Sequence, residues 1–186
     1  YLMDRDKRIK TKDIRGSMFR MEQPLQLDVE DMDIVQDPNF FLRFNDNEFS
    51  GVRFRFNAGV TDETLTYLDR QKNIKLLDLK SCKVTSRILD KLNSLPELTF
   101  LSVTRTGLTG KDLLKLKRLK KLTTLSMAHL PGQSKVLADI KGSPLLDTLE
   151  ISAENLSEAD FKCLGSFKNL RRLWIKDAGT ITDKDL

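Results

Sequence analysis

The segment TGLTGKDLLKLKRLKKLTTL, residues 106–125, admits three readings: a phosphate loop, a basic helix for an anionic partner, or one unit of a repeat. A phosphate loop needs Gly, four residues, then Gly-Lys-Ser/Thr, so that backbone amides cradle phosphate and the hydroxyl meets a metal ion. Here Arg105 stands where the first glycine belongs and Asp112 where the hydroxyl belongs, which excludes that reading. The repeat reading survives on both sides of the segment. Leu77, Leu101, Leu125, Leu149 and Leu173 recur every 24 residues, with Ile74, Leu98, Leu122, Leu146 and Leu170 three places earlier. Leu79, Val103, Met127, Ile151 and Ile175 follow two places later.

The rest of the unit recurs too. Val84-Thr85, Leu108-Thr109 and Leu156-Ser157 form one column, anticipated by Val60-Thr61. Leu89, Leu113, Leu137 and Phe161 form a second column, and Leu92, Leu116, Ile140 and Leu164 a third. Period two in the leucine pair predicts a strand, and period three further on predicts a short helix or 3₁₀ segment. Each unit reads as strand, tight turn, short helix and return. No unit can bury its own apolar row, so neighbours must stack.

In these columns the sequence resembles the leucine-rich repeat family over about residues 50–186. It is most similar to bacterial 24-residue units and more distantly to the cysteine-containing class. The resemblance implies an α/β fold, a right-handed horseshoe solenoid with a parallel sheet on its concave side and short helices on its convex side. It also implies that Cys82 and Thr106 face inward to bond turn backbone. One unit departs from the pattern: Pro131-Gly132 replaces the Val/Leu-Thr turn, so an altered loop is expected there. "VRFRF", residues 52–56, is expected as the first of about six strands. "PNFFLRFNDNEF", residues 38–49, is expected as an aromatic cap, which divides the chain into an arm and cap over 1–49 and a repeat domain over 50–186.

The chain has 186 residues, 39% hydrophobic and 32% charged, as expected of a single soluble domain with a real core. Its two cysteines, Cys82 and Cys163, form no metal or disulfide pattern and favour a reducing, cytoplasmic compartment; Cys163 is expected on the solvent side. The net charge of +5 is unevenly spread: residues 1–20 carry seven basic and three acidic groups, and residues 21–48 one basic and eight acidic. The chain opens at Tyr1, and "GTITDKDL" at 179–186 begins a further unit, so either a longer parent protein or self-association through that end is expected.

Function is expected on the strand residues that face away from the core. Arg55, Asp78, Ser102, Ser126, Glu150 and Trp174 should lie between paired core residues. Asn57, Lys80, Thr104, Ala128, Ser152 and Lys176 should follow them, and Arg53, Leu76, Phe100, Thr124, Thr148 and Arg172 precede them. Leu76, Phe100 and Trp174 are apolar where solvation favours polar groups, which marks a binding face for a protein partner. The expected contact set is Leu76, Asp78, Lys80, Phe100, Ser102, Glu150, Arg172, Trp174 and Lys176. A second surface is the basic run Lys115, Lys117, Arg118, Lys120 and Lys121, read as a solvated outer face; as an alternative it binds an anionic polymer or membrane. Only this unit is so basic, so nucleic acid and membrane are not the expected partners. His129, the single histidine, has no nucleophile partner by motif, and nothing points to catalysis, a metal or a cofactor. A third reading makes the chain the recognition portion of a larger enzyme.

Overall fold

The computed structural model describes residues 2–4, 7–9, 25–29, 44–54, 56 and 58–180. Seven parallel strands run in sequence order through one sheet: β3 (Leu25–Asp28), β4 (Phe49–Arg53), β5 (Leu76–Asp78), β6 (Phe100–Ser102), β7 (Thr124–Ser126), β8 (Thr148–Ser152) and β9 (Arg172–Lys176). An antiparallel pair, β1 (Leu2–Asp4) and β2 (Lys7–Ile9), extends the sheet beyond β3. Parallel neighbours require a crossover. Here the crossovers are short: a 3₁₀ segment over Thr64–Arg70, then α1 (Leu89–Asn93), α2 (Gly110–Leu113), α3 (Gln133–Ile140) and α4 (Glu158–Leu164). The result is an α/β repeat solenoid.

The register follows the sequence columns. Leu77 faces Leu101, then Leu125, Leu149 and Leu173 across successive strands. Every member is buried except Leu173 on β9. The helix columns close the other side of the same core, through Leu89, Leu92, Leu113, Leu116, Leu137, Ile140 and Leu164. Strand entry is marked by a doubled amide bond: Thr99 N and Phe100 N both donate to Lys75 O, and Thr123 N and Thr124 N both donate to Thr99 O. Strand exit is marked by a left-handed residue in each turn: Phe56, Ser81, Arg105, His129, Asn155 and Asp177, with φ between 53° and 61°. None is glycine, so each turn carries the steric strain of a Cβ against the following carbonyl.

Helix entry uses one carboxylate device in several coils. In α2, Asp112 Oδ2 accepts from Thr109 N and Thr109 Oγ1 (3.0 and 2.7 Å); in α4, Asp160 Oδ2 accepts from Ser157 N and Oγ (2.8 and 2.7 Å). These are capping boxes, which satisfy amides a helix start leaves orphaned. Before α1 the carboxylate comes from the preceding coil: Asp62 accepts from Thr85 N and Thr85 Oγ1. Burial alone would push the Asp112 carboxyl up, but the Thr109 hydroxyl and amide and the Lys115 ammonium together hold it below the usual range.

Three expectations are corrected. The sheet takes in a parallel strand upstream of VRFRF, with Leu27 and Val29 buried beside Val52 and Phe54. Within that stretch the core residues are Val52 and Phe54, and Arg53 faces Asp78, so the register lies two residues earlier than expected and Phe56 falls in the exposed turn. Cys163 is buried, its thiol bonded to Leu137 O at 3.2 Å, and burial pushes that thiol up. The inward roles of Cys82 and Thr106 hold: Cys82 Sγ lies 3.2 Å from Phe54 O, and Thr106 Oγ1 donates to Val103 O at 2.8 Å. Phe40, Phe41, Arg55 and Asn57 lie outside the described residues, whereas Phe44 and Phe49 pack edge to face with ring centroids 4.8 Å apart.

Candidate binding face

Strand alternation turns Leu76, Asp78 and their equivalents away from the core. The register sets Leu76 beside Phe100, Thr124, Thr148 and Arg172, and Asp78 beside Ser102, Ser126, Glu150 and Trp174. The expected contact residues therefore share one sheet face, but they do not share one exposure. Asp78 and Ser102 are buried at 4% and 3%, whereas Trp174 is 55% exposed. Short side chains over β6–β8, namely Ser102, Thr104, Ser126, Ala128 and Ser152, sink between their neighbours and form a low floor. Leu76 and Phe100 are half-buried on one flank, and Lys80 on the other.

Both ends of this floor carry an aromatic ring under a lysine. Lys80 Nζ lies 5.2 Å from the Phe56 ring centroid, and Lys176 Nζ lies 5.3 Å from that of Trp174. Such pairs contribute roughly 0.5–1 kcal/mol at exposed sites, too little to explain holding a phenylalanine in the left-handed region. Phe56 is 66% exposed and was missed from sequence because the two-residue register error placed it in the core. The left-handed positions carry no sequence mark: Phe, Ser, Arg, His and Asp stand four places after the paired core residue of their strands, and Asn155 two places later than that in its own turn.

Charge on this face is organised in pairs. Arg53 Nη1 reaches Asp28 Oδ1 at 3.3 Å and Gln26 Oε1 at 2.9 Å. Lys176 sits 3.8 Å from Glu150 Oε1, an atom that is buried without a hydrogen bond; Thr104 Oγ1 is the other such atom among the described residues. Arg172 bonds Asp147 Oδ1 at 3.0 Å; the Thr148 hydroxyl, then Arg172, hold the Asp147 carboxyl below its ordinary range. His129 Nε2 lies 3.1 Å from Asp177 Oδ2 and 3.3 Å from Arg105 Nη2, between a carboxylate and a guanidinium.

The basic run lies in the return after α2 and ends in a 3₁₀ turn over Leu119–Lys121. Leu113, Leu116 and Leu119 point into the core, as expected. Lys115 pairs with Asp112 at 3.6 Å, Lys120 with Asp139 at 3.4 Å, and Arg118 Nε donates to Leu98 O at 3.2 Å. Lys117 and Lys121 are exposed and lack an acidic partner among the described residues. No described helix is long and apolar enough to cross a membrane, and no described group of three or more His, Cys, Asp or Glu is placed to hold a metal ion.

No protein-family model matches the chain, and no curated protein matches its sequence. Among solved structures the chain is similar to an internalin from Listeria monocytogenes, with 16% identity and a TM-score of 0.41. The match covers 79% of this chain and 47% of the internalin chain. At that overlap the likeness is descriptive, and the repeat architecture rests on the register of β3–β9.

Proposed function

We propose that this chain is a non-catalytic recognition module that holds a protein partner on the open, concave face of its sheet. The observation that carries the reading is Trp174, a 55% exposed indole flanked on β9 by Arg172 and Lys176 and in register with Glu150. A large aromatic ring beside charged groups is the composition of an interface anchor, and the low Ser/Thr floor beside it leaves room for a partner's side chains. Leu76 and Phe100, half-buried on the same face, supply the apolar flank. The solenoid winds right-handed in this reading.

The test uses the partner recovered by affinity capture with the intact chain. Trp174→Ala should weaken its binding about 30-fold and Phe100→Ala by a smaller factor, while the outer-face variant Lys111→Ala stays at the parent value. Binding unchanged in a Trp174→Ala, Phe100→Ala double variant that keeps its circular dichroism spectrum would sink the open-face assignment.

A further inference from the structure

The segments that return each helix to the next strand stack along one edge of the sheet. Ser143 Oγ donates to Lys120 O at 3.1 Å, and Asn169 Nδ2 donates to Pro144 O at 2.7 Å. Residues 117–123, 141–147 and 165–171 therefore lie side by side in three consecutive coils. Lys117, Lys121, Lys141, Lys168 and Arg171 are all exposed along that edge. Its acids are already engaged: Asp139 pairs with Lys120, and Asp147 with Arg172 and Arg171. Lys117, Lys121, Lys141 and Lys168 make no ion pair among the described residues, and Glu97, one coil before Lys121, marks where the basic run ends. In its middle stands Leu145, 50% exposed, one repeat after Lys121 and four residues after Lys141. The basic character read from one unit of the sequence thus continues through three, because cations from different sequence columns converge on one edge.

We propose that this edge docks an acidic protein segment that seats an apolar side chain against Leu145. The surplus of unpaired lysines sets the sign of the partner. Leu145 sets its kind, because an apolar centre ringed by charge is the anatomy of a protein–protein contact. One half-exposed leucine is too little apolar surface to insert into a bilayer, and among the described residues the edge presents no exposed aromatic ring on which bases would stack, its one phenylalanine, Phe167, being buried. The edge is separate from the Trp174 face, so its failure leaves that reading standing.

The probes are two short glutamate-rich peptides, one with a central leucine and one with serine in its place, set against phosphatidylserine vesicles and a single-stranded oligonucleotide. The leucine peptide should bind about fivefold tighter than the serine peptide, with affinity falling as salt rises. Leu145→Ser should erase the difference between the peptides. Lys121→Glu, Lys141→Glu and Lys168→Glu together should cost at least about tenfold, while Trp174→Ala changes nothing. Equal binding of the two peptides, tighter binding of vesicles or oligonucleotide, or an unaffected charge-reversed variant that keeps its circular dichroism spectrum would each overturn the proposal.

Discussion

Gln133 shows how a single side chain replaces a missing motif. The Pro131-Gly132 unit lacks the Val/Leu-Thr turn of its neighbours, and Gly132 at φ 79° sends the chain into α3 from the left-handed region. Gln133, only 4% exposed, then spends its amide on the next coil: Nε2 donates to Ser152 O at 2.7 Å and Glu154 O at 3.0 Å, and Oε1 accepts from Ser152 N at 3.2 Å. Gln71 plays the same part earlier, accepting from Phe49 N at 3.0 Å and donating to Asn45 O at 2.8 Å. Backbone groups buried at strand ends have no water to turn to, and leaving one unpaired costs about 1–3 kcal/mol. Gln133→Leu keeps the volume and removes these three bonds together with the longer one from Ser152 Oγ to Gln133 Oε1 at 3.5 Å. It should lower stability by about 3 kcal/mol, a fall in Tm of about 6–12 °C for a chain of this size, while the exposed control Lys135→Leu stays within about 0.5 kcal/mol. A Tm loss below about 2 °C in thermal unfolding would mean that water reaches the Ser152 turn.

At the scale of elements, Gly110 explains why the tempting Gly-Lys pair is where it is. Gly110 N donates to Pro131 O at 2.7 Å, and a Cβ at Gly110 would lie 2.2 Å from Gly132 O. The glycine lets α2 approach the next coil's turn, backbone to backbone. Gly110→Ala must push the two coils apart and should cost about 3 kcal/mol or more in urea unfolding. Gly165→Ala, in right-handed backbone with its nearest obstacle at 3.6 Å, should be neutral or stabilise by up to about 1 kcal/mol. Similar losses for both would remove the close-approach account. The same contrast separates what the sequence makes legible from what it hides. Five leucines at one spacing reveal the core and strand order, because burial acts on every coil alike. Strand β3 escapes that logic: Leu27 and Val29 stand 25 residues before Val52 and Phe54, off the 24-residue beat and inside an acidic stretch. The candidate face was legible as a row of positions but not as a surface, since exposure depends on neighbouring coils: Asp78 and Ser102 sink, and Trp174 does not.

Over the whole molecule, stability is a sum of coil terms and neighbour terms, because each coil touches only the ones beside it. Coils carrying β6 and β7 are packed on both sides, with Leu101 and Leu125 fully buried. Strand β9 pairs only with β8 among the described residues, and Leu173 in the same column is 41% exposed. Equivalent amides can report this gradient, since the chemistry of the bond is constant along the sheet. Phe100 N donates to Lys75 O at 2.9 Å, Thr124 N to Thr99 O at 3.1 Å, Thr148 N to Thr123 O at 3.0 Å and Arg172 N to Asp147 O at 3.0 Å. Bond geometry alone predicts equal hydrogen exchange. A nearest-neighbour solenoid predicts instead that Arg172 N, after correction for intrinsic rate, exchanges at least about tenfold faster than Thr124 N, because the β9 coil has one neighbour among the described residues and the β7 coil has two. Exchange followed by mass spectrometry or NMR decides between them. Uniform protection at all four amides would mean that the chain opens all or none. In that case the exposed indole of Trp174 sits on a rigid surface; with the gradient, a partner that covers Trp174 also slows exchange at Arg172, which gives an independent readout of open-face binding.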